Sequence, residues 1–447
     1  MSDQPLVQYA SRTDVGMRRA ANQDSLAVKL CNDFECFSDS GHLFVVADGM
    51  GGHSVGDLAS RIAVETVQLS YFKIDAESIP DRILASMTAA NRAISDKARE
   101  NPEFSDMGTT CSLLALSATG ACVGHVGDSR VYRVRSGRIE QLTFDHSLQW
   151  EMIRAGRATI ENVDLLHPRN VITRCLGPDQ SVQIDIEGPF HVQSGDRFVL
   201  CSDGLTGHVS DSEIGAVASS LAPAEASRLL INLANCRGGA DNVTAIVVDV
   251  RSYPAVSSPV VDHATKEVSF GRTTDALSKK RSRRRISEWS LVLFSFLATF
   301  GLAALALGHN GIGLSIICVA LILGFFRLVA SIGVTASGDG AVSTPILGGS
   351  GMHLPVGSLP AQKSPYRTSS AEVTPDFLEF LAEAQSELTQ AAIDNGWPVD
   401  PKALQDLRQQ SIDAVKKNDP GRCVQLRATA IDVVMKELYH HTRTMQG

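Results

Sequence analysis

Four aspartates stand at the ends of apolar runs, and they are the residues of this chain best suited to chemistry. Asp48 closes the run Leu43 to Ala47 and is followed by Gly49-Met50-Gly51-Gly52; Asp203-Gly204 closes Arg197 to Cys201 in the same way. Asp128 follows Gly124-His125-Val126-Gly127, and Asp241 stands just before Ala245 to Val250. One Asp-Gly pair is a common turn signal, but four such aspartates suggest carboxylates brought to one place. Carboxylates that crowd together cannot all stay ionised unless a cation neutralises them. Oxygen ligands suit Mg2+ or Mn2+, whereas zinc sites favour Cys and His, and the ligand count fits two ions better than one.

The elements around these residues must hold them. Residues 5 to 30 read as strand, loop, strand, and Leu43 to Ala47 as a buried strand. Helical periodicity runs from Val55 to Leu69 and from Pro80 to Arg99. Strands are expected at Thr109 to Leu116 and Ala121 to Arg135, then a helix from Asp145 to Gly156. Asp179 to Val250 supplies further strands, helices at Asp211 to Leu221 and Ala224 to Asn235, and a closing strand. Strands in blocks and helices in pairs indicate an α+β sandwich of about 240 residues.

Composition narrows the function classes. With 447 residues, more than one region is expected, and a formal charge of -8 disfavours a general nucleic-acid binder. Nine cysteines without framework spacing or a CxxC motif read mostly as reduced core residues. The N-terminus has neither a basic start nor an apolar core, so no secretory signal is expected.

Seven stretches in order resemble the metal-dependent protein phosphatases of type 2C, in their bacterial form. They are Asp14-x-Gly16-x-x-Arg19-x-x-Asn22-Gln23-Asp24, Val46 to His53, Met107-Gly108-Thr109-Thr110 and Val126 to Tyr132. Leu142-Thr143-x-Asp145-His146-Ser147, Ser202 to Leu205 and Asp241 to Thr244 complete the set, which covers Val7 to Val250. The resemblance implies two packed antiparallel sheets flanked by helices, and hydrolysis of phosphoserine and phosphothreonine in proteins. It implies two Mn2+ or Mg2+ ions sharing Asp48, with the Gly49 carbonyl on one and Asp203 and Asp241 on the other. Asp128, with Asp203, would take the third metal of bacterial relatives, and Asp24 would orient metal-bound waters. A hydroxide bridging the ions would attack phosphorus in line, and Arg19 would bind the phosphate oxygens.

Each role has a plainer rival. Asp24 suits an Asx-turn, Asp128 a hydrogen bond in its turn, and Arg18 a solvated face. His53 and His146 are read as structural. Met50 stands where animal relatives carry a His thought to protonate the leaving group, which leaves the general acid open, and Gln23 replaces a frequent acidic residue. The polar segment Glu151 to Arg174 matches the flap of the bacterial group.

After residue 251 the composition changes. Residues 252–288 form a polar linker ending in Lys279 to Arg285, six basic residues in seven. Trp289 to Gly308 has no charged residue over 20 positions, about 30 Å of helix, enough to span a bilayer core. A second span is read over 312–334, giving a transmembrane hairpin with both flanks cytoplasmic at the cell inner membrane. Residues 335–373 read as a flexible linker, and 374–445 as a small C-terminal helical bundle announced by Thr374-Pro375, Asp400-Pro401 and Asp419-Pro420. That bundle either binds an unknown protein or stands alone.

The sequence therefore reads as a membrane-anchored phosphatase acting on phosphorylated Ser/Thr proteins, membrane Ser/Thr kinases among them. A catalytically silent membrane scaffold that binds phosphoproteins is the alternative, though it would have no need of the intact Asp set. A phosphatase for small metabolites is a third reading.

Overall fold

The computed structural model describes residues 7–51, 55–159, 162–163, 168, 171–253 and 364–446. Both proposed spans, most of the linkers beside them, and His53 lie outside the described residues. Among the described residues no helix is long and apolar enough to cross a membrane.

Two antiparallel sheets face each other. The first is built from β1 (Val7–Asp14), β7 (Arg130–Arg135), β8 (Arg138–Gln141), β10 (Arg197–Cys201), β11 (Val243–Val250) and β12 (Arg367–Ser370), in the order β1-β11-β10-β7-β8-β12. The second contains β2 (Asp24–Lys29), β3 (His42–Met50), β5 (Cys111–Ser117), β6 (Gly120–Val126) and β9 (Asp185–Phe190), in the order β2-β3-β5-β6-β9. The short β4 (Gly108–Thr109) pairs with the end of β3.

Alternation along the strands explains the layers. Phe44 and Val46 of β3 meet Leu200, Ile246 and Val248 between the sheets, while Leu43, Val45 and Ala47 point to the outer helices α2 (Val55–Tyr71) and α3 (Ile79–Glu100). A strand buried on both faces reads as one continuous apolar run, which is the signature seen before Asp48. On the other sheet, Val243, Ala245 and Val247 of β11 pack under α6 (Asp211–Ser220) and α7 (Pro223–Cys236). The expected αββα layering is present.

Five expectations are corrected. The helix expected from Asp145 is α4 (Leu148–Arg154), capped by Ser147, because Asp145 is drawn into an ion pair with Arg130. The strand expected from Ala121 to Arg135 is two strands in different sheets, β6 and β7, broken at Gly127, whose φ is +110°; the run 34–39, for which no element was read, is helix α1 (Phe34–Asp39), capped by Asp33. Cys31 and Cys36 form a disulfide, whereas the other six described cysteines are free, and four of them, Cys111, Cys122, Cys201 and Cys423, are buried as expected of core residues. The fifth concerns the segment after the expected spans: its residues 364–373 are not linker but carry β12, which pairs with β8.

The C-terminal helices α8 (Pro375–Asp394), α9 (Pro401–Lys416) and α10 (Pro420–Gln446) begin at the three prolines that marked them. They do not form a body apart. Phe377, Leu381, Val424, Ile431 and Met435 join Leu229, Leu230 and Leu233 of α7 in one core, and Arg228 pairs with Asp432 at 3.3 Å. The close fit is visible at Gly215, where an added Cβ would lie 2.8 Å from that of Ala371.

Candidate metal centre

The candidate residues converge at the strand ends where the two sheets approach. Asp24, the first residue of β2, is the cross-strand partner of Asp48 on β3. The Asp48 backbone is fixed from both sides: its N–H donates to Thr110 Oγ1 at 2.9 Å, and its carbonyl accepts from the Thr110 N–H at 2.9 Å. Asp203 opens a one-turn helix, α5 (Asp203–Thr206), at the end of β10, and Asp241 precedes β11. Two glycines make the approach possible. A Cβ on Gly49 would lie 2.0 Å from the Gly56 carbonyl oxygen, and one on Gly204 would lie 2.0 Å from that of Asn242. Neither position has room for another residue.

Burial sets the electrostatics. Desolvation first, then the charges of Asp24, Asp203 and Asp128, hold the Asp48 carboxyl well above the usual carboxylate range. Asp128 is raised by burial and then by Asp203 and Asp145, with Arg130 opposing. Burial pushes Asp24 up to about 7, although Ser202 and Thr244 each donate to its Oδ2 at 2.7 Å. Meanwhile Asp24 Oδ1, Asp128 Oδ1 and Asp203 Oδ1 are buried with no hydrogen-bond partner.

Among the described residues, no group of three or more His, Cys, Asp or Glu side chains is already arranged as a ready-made metal site. The carboxylates nonetheless fit a hard divalent ion. Buried oxygens without donors lack compensation for their lost water, and burial together with mutual repulsion raises the proton affinities of Asp24, Asp48, Asp128 and Asp203. A cation removes both penalties. One consequence is measurable without substrate. Asp24 has a folded pKa raised from the ordinary 3.8 to about 7, so its protonated form favours the fold at low pH, and that contribution falls as pH rises through 7. Relative to an Asp24→Asn variant, the metal-free protein should therefore lose thermal stability between about pH 4 and pH 7, and Mn2+ should restore it by an increment that grows with pH. Melting curves with and without Mn2+ across that range check this. An Mn2+ increment that shrinks with rising pH would contradict it.

Around the aspartates the structure sorts the other candidates. Arg19 donates to Asp241 Oδ2 at 2.7 Å and its side chain is 46% exposed, so it stands at the centre with donors to spare. Arg18 is exposed as well but uses its backbone N–H on the Gly239 carbonyl. His146 is structural as expected: its Nδ1 accepts from the Gly127 N–H at 3.0 Å and its Nε2 donates to Asp185 at 2.9 Å. It thereby braces the turn that carries Asp128. Burial lowers its proton affinity and that of His125, the latter to about 3, so neither is a proton donor near neutral pH.

Sequence reasoning missed several supports. Ser202 and Thr244 clamp Asp24, and Asn242 accepts from the Gln23 N–H at 2.8 Å. All three lie inside the quoted motifs, but their partners are distant in sequence. Arg130 pairs with Asp145 through Nε at 2.9 Å and through a terminal nitrogen at 2.6 Å, below the Asp128 turn. Tyr366, just before β12, and Arg367, its first residue, line a cavity of about 410 Å³ together with Asp128 and Asp203. No sequence signal marks those two.

These features define a carboxylate-rich centre between two sheets, and comparison with known proteins places it. A profile described as "Protein phosphatase 2C" matches residues 17–232. The chain is 33% identical over 247 residues to the protein phosphatase PhpP of Streptococcus pneumoniae, covering 54% of this chain and 97% of that one. It is 35% identical over 245 residues to the serine/threonine phosphatase stp of Listeria monocytogenes, covering 53% and 94%. Among solved structures, the serine/threonine phosphatase of S. agalactiae is similar with a TM-score of 0.50 and 35% identity, covering 55% of this chain and all of that one. The chain belongs to the protein phosphatase 2C family.

Proposed function

We propose that this chain is a metal-dependent phosphatase of phosphoserine and phosphothreonine in proteins, working at the Asp24–Asp48–Asp203–Asp241 centre. The observation that carries this reading is the group of buried carboxyl oxygens without donors, within reach of an arginine that is only partly committed. Asp48, the Gly49 carbonyl, Asp203 and Asp241 would hold two Mn2+ or Mg2+ ions, and Asp128 beside Asp203 would serve a third. Bound divalent ions neutralise the carboxylates, polarise phosphate oxygens and acidify water enough to supply a nucleophile near neutral pH.

The chain's own groups do the rest. Asp24, fixed through Oδ2 by Ser202 and Thr244, presents its open Oδ1 to hold and orient water by accepting its hydrogens. Arg19 keeps one nitrogen on Asp241 and turns its remaining donors to the phosphate oxygens, a task that suits a planar fork. Arg19→Lys should therefore lower kcat/KM by about 10- to 100-fold, because charge survives but the fork is lost. Arg18→Lys should change it less than about twofold. Steady-state kinetics on a phosphopeptide decide this, and equal losses in the two variants would remove Arg19 from the site. The silent-scaffold alternative finds no support in a centre whose ligand set is complete.

We further propose that residues 289–308 and 312–334 form a hairpin through the inner membrane, keeping catalytic domain and tail in the cytoplasm. Support comes from the uncharged runs and from the basic cluster Lys279 to Arg285, which belongs on the inner face. Docking of the C-terminal helices on the phosphatase core agrees with this, since the two must then share a compartment. Protease added to intact spheroplasts should spare an epitope placed after Gly447. Its removal would place the tail outside.

A further inference from the structure

The cavity beside Asp128 and Asp203 has a wall that the family match, ending at residue 232, does not include. That wall is β12. Arg367 is paired with Gln141 at the sheet edge, and the Tyr366 N–H donates to the Gln141 carbonyl at 2.9 Å. The Tyr366 hydroxyl donates to Glu187 and its ring meets Phe144 edge-on at 5.5 Å. The segment is thus seated at both ends of its side-chain face.

Three guanidinium groups line the cavity. Arg130 spends its donors on Asp145 and the Tyr132 hydroxyl, and Arg154 donates to Glu151 at 2.6 Å and lies over the Phe144 ring. Arg367 differs. Its nearest carboxylate oxygen, Asp211 Oδ2, stands 3.5 Å from Nε, and among the described residues its guanidinium donates no hydrogen bond within normal distance. Its carbon lies 5.7 Å from the Trp150 ring centroid, which steers the group over α4 without using its N–H donors, and its side chain is 36% exposed. Of the carboxylates that share the cavity with it, Asp145 is paired with Arg130, Asp211 faces Arg130 through Oδ1 and Arg367 through Oδ2 at the same 3.5 Å, and Asp128 and Asp203 belong to the candidate metal centre, so the two terminal nitrogens of Arg367 are the ones left to a ligand.

We propose that Arg367 is a specificity-determining residue, supplied by the C-terminal segment, that binds an anionic group flanking the phosphorylated residue of a protein substrate. The inference rests on the phosphatase reading above. An anion on a neighbouring residue would lie in the cavity while the scissile phosphate lies at the carboxylate centre. A planar fork with unspent donors, braced on an aromatic ring, suits a carboxylate or a second phosphate. Both sources share one chemistry. The tail then has a job in catalysis: it completes a subsite that the matched family region leaves open.

The test uses the full-length protein with Mn2+ and three phosphoserine peptides: one with neutral flanks, one with two flanking glutamates, one with a second phosphoserine. The wild type should favour the anionic peptides through KM. Arg367→Gln should raise their KM about tenfold with kcat little changed, so that their advantage over the neutral peptide disappears, and Arg367→Lys should retain part of it. A larger effect on the doubly phosphorylated peptide identifies a phosphate as the preferred group, and the reverse a carboxylate. An unchanged preference in Arg367→Gln, or an equal loss on all three peptides, overturns the inference. Wild-type turnover of all three without preference overturns it while sparing the phosphatase reading; turnover of none overturns both.

Discussion

Asp48→Asn should abolish metal-dependent phosphate release, lowering it by about 10³-fold or more, while leaving the domain folded. Asn is nearly isosteric and can occupy the same place, because the Asp48 backbone is held by Thr110 and by its pairing across β2 and β3. What it lacks is the charge that a shared divalent ion needs. Here the metal-free protein gives a second readout. The Asp48 carboxyl is held far above its ordinary proton affinity by burial and by Asp24, Asp203 and Asp128, so removing it relieves repulsion rather than breaking a favourable pair. The variant should melt no lower than the wild type without metal, and should gain much less stability when Mn2+ is added. A variant that fails to fold, or one with wild-type turnover, would remove Asp48 from the role given to it.

Arg130→Ala should destabilise the protein by about 3–5 kcal/mol, the usual cost of breaking a buried ion pair by deleting one partner. Arg130 is 13% exposed and Asp145 4%, and the same arginine also meets Asp211 and the Tyr132 hydroxyl. Its loss strands two carboxylates where water cannot compensate them. Burial is the leading influence on Asp145 and already raises it, with Arg130 the main opposing partner. Replacing Arg130 and Asp145 together by apolar residues should recover a large part of the loss, since the stranded charge then disappears. Urea unfolding of the single and double variants measures both quantities. A single-variant change below about 1 kcal/mol would show that the pair is an ordinary surface contact.

The sequence showed most clearly what depends on chain-local order. Strands buried on both faces had to appear as apolar runs, so β3, β10 and β11 and the aspartates at their ends were visible. Helices α8, α9 and α10 announced themselves because proline at the first helical position follows a capping side chain. The missing parts depend on contacts between distant segments. Arg367–Ser370 is polar, four residues long and exposed on alternate positions, and only the free edge of β8 makes it a strand. Asp145 reads as the start of a helix from its neighbours, yet Arg130 claims it from β7. Likewise an amphipathic tail shows an apolar stripe without showing that Leu229 and Leu233 of α7 will cover it. The aspartates were legible individually; the raised proton affinities of Asp24, Asp48, Asp128 and Asp203, which suit them to a cation, arise only from their mutual burial.

The central claim is that divalent ions held by these aspartates drive hydrolysis of a phosphorylated serine or threonine. It is tested most directly by measuring phosphate release from a phosphoserine peptide by the full-length protein during an Mn2+ titration after EDTA treatment. Release should be absent in EDTA, rise with Mn2+ to saturation, and be recovered at least in part by Mg2+. Phosphate release that persists undiminished in EDTA, or no release at any Mn2+ concentration, would contradict it.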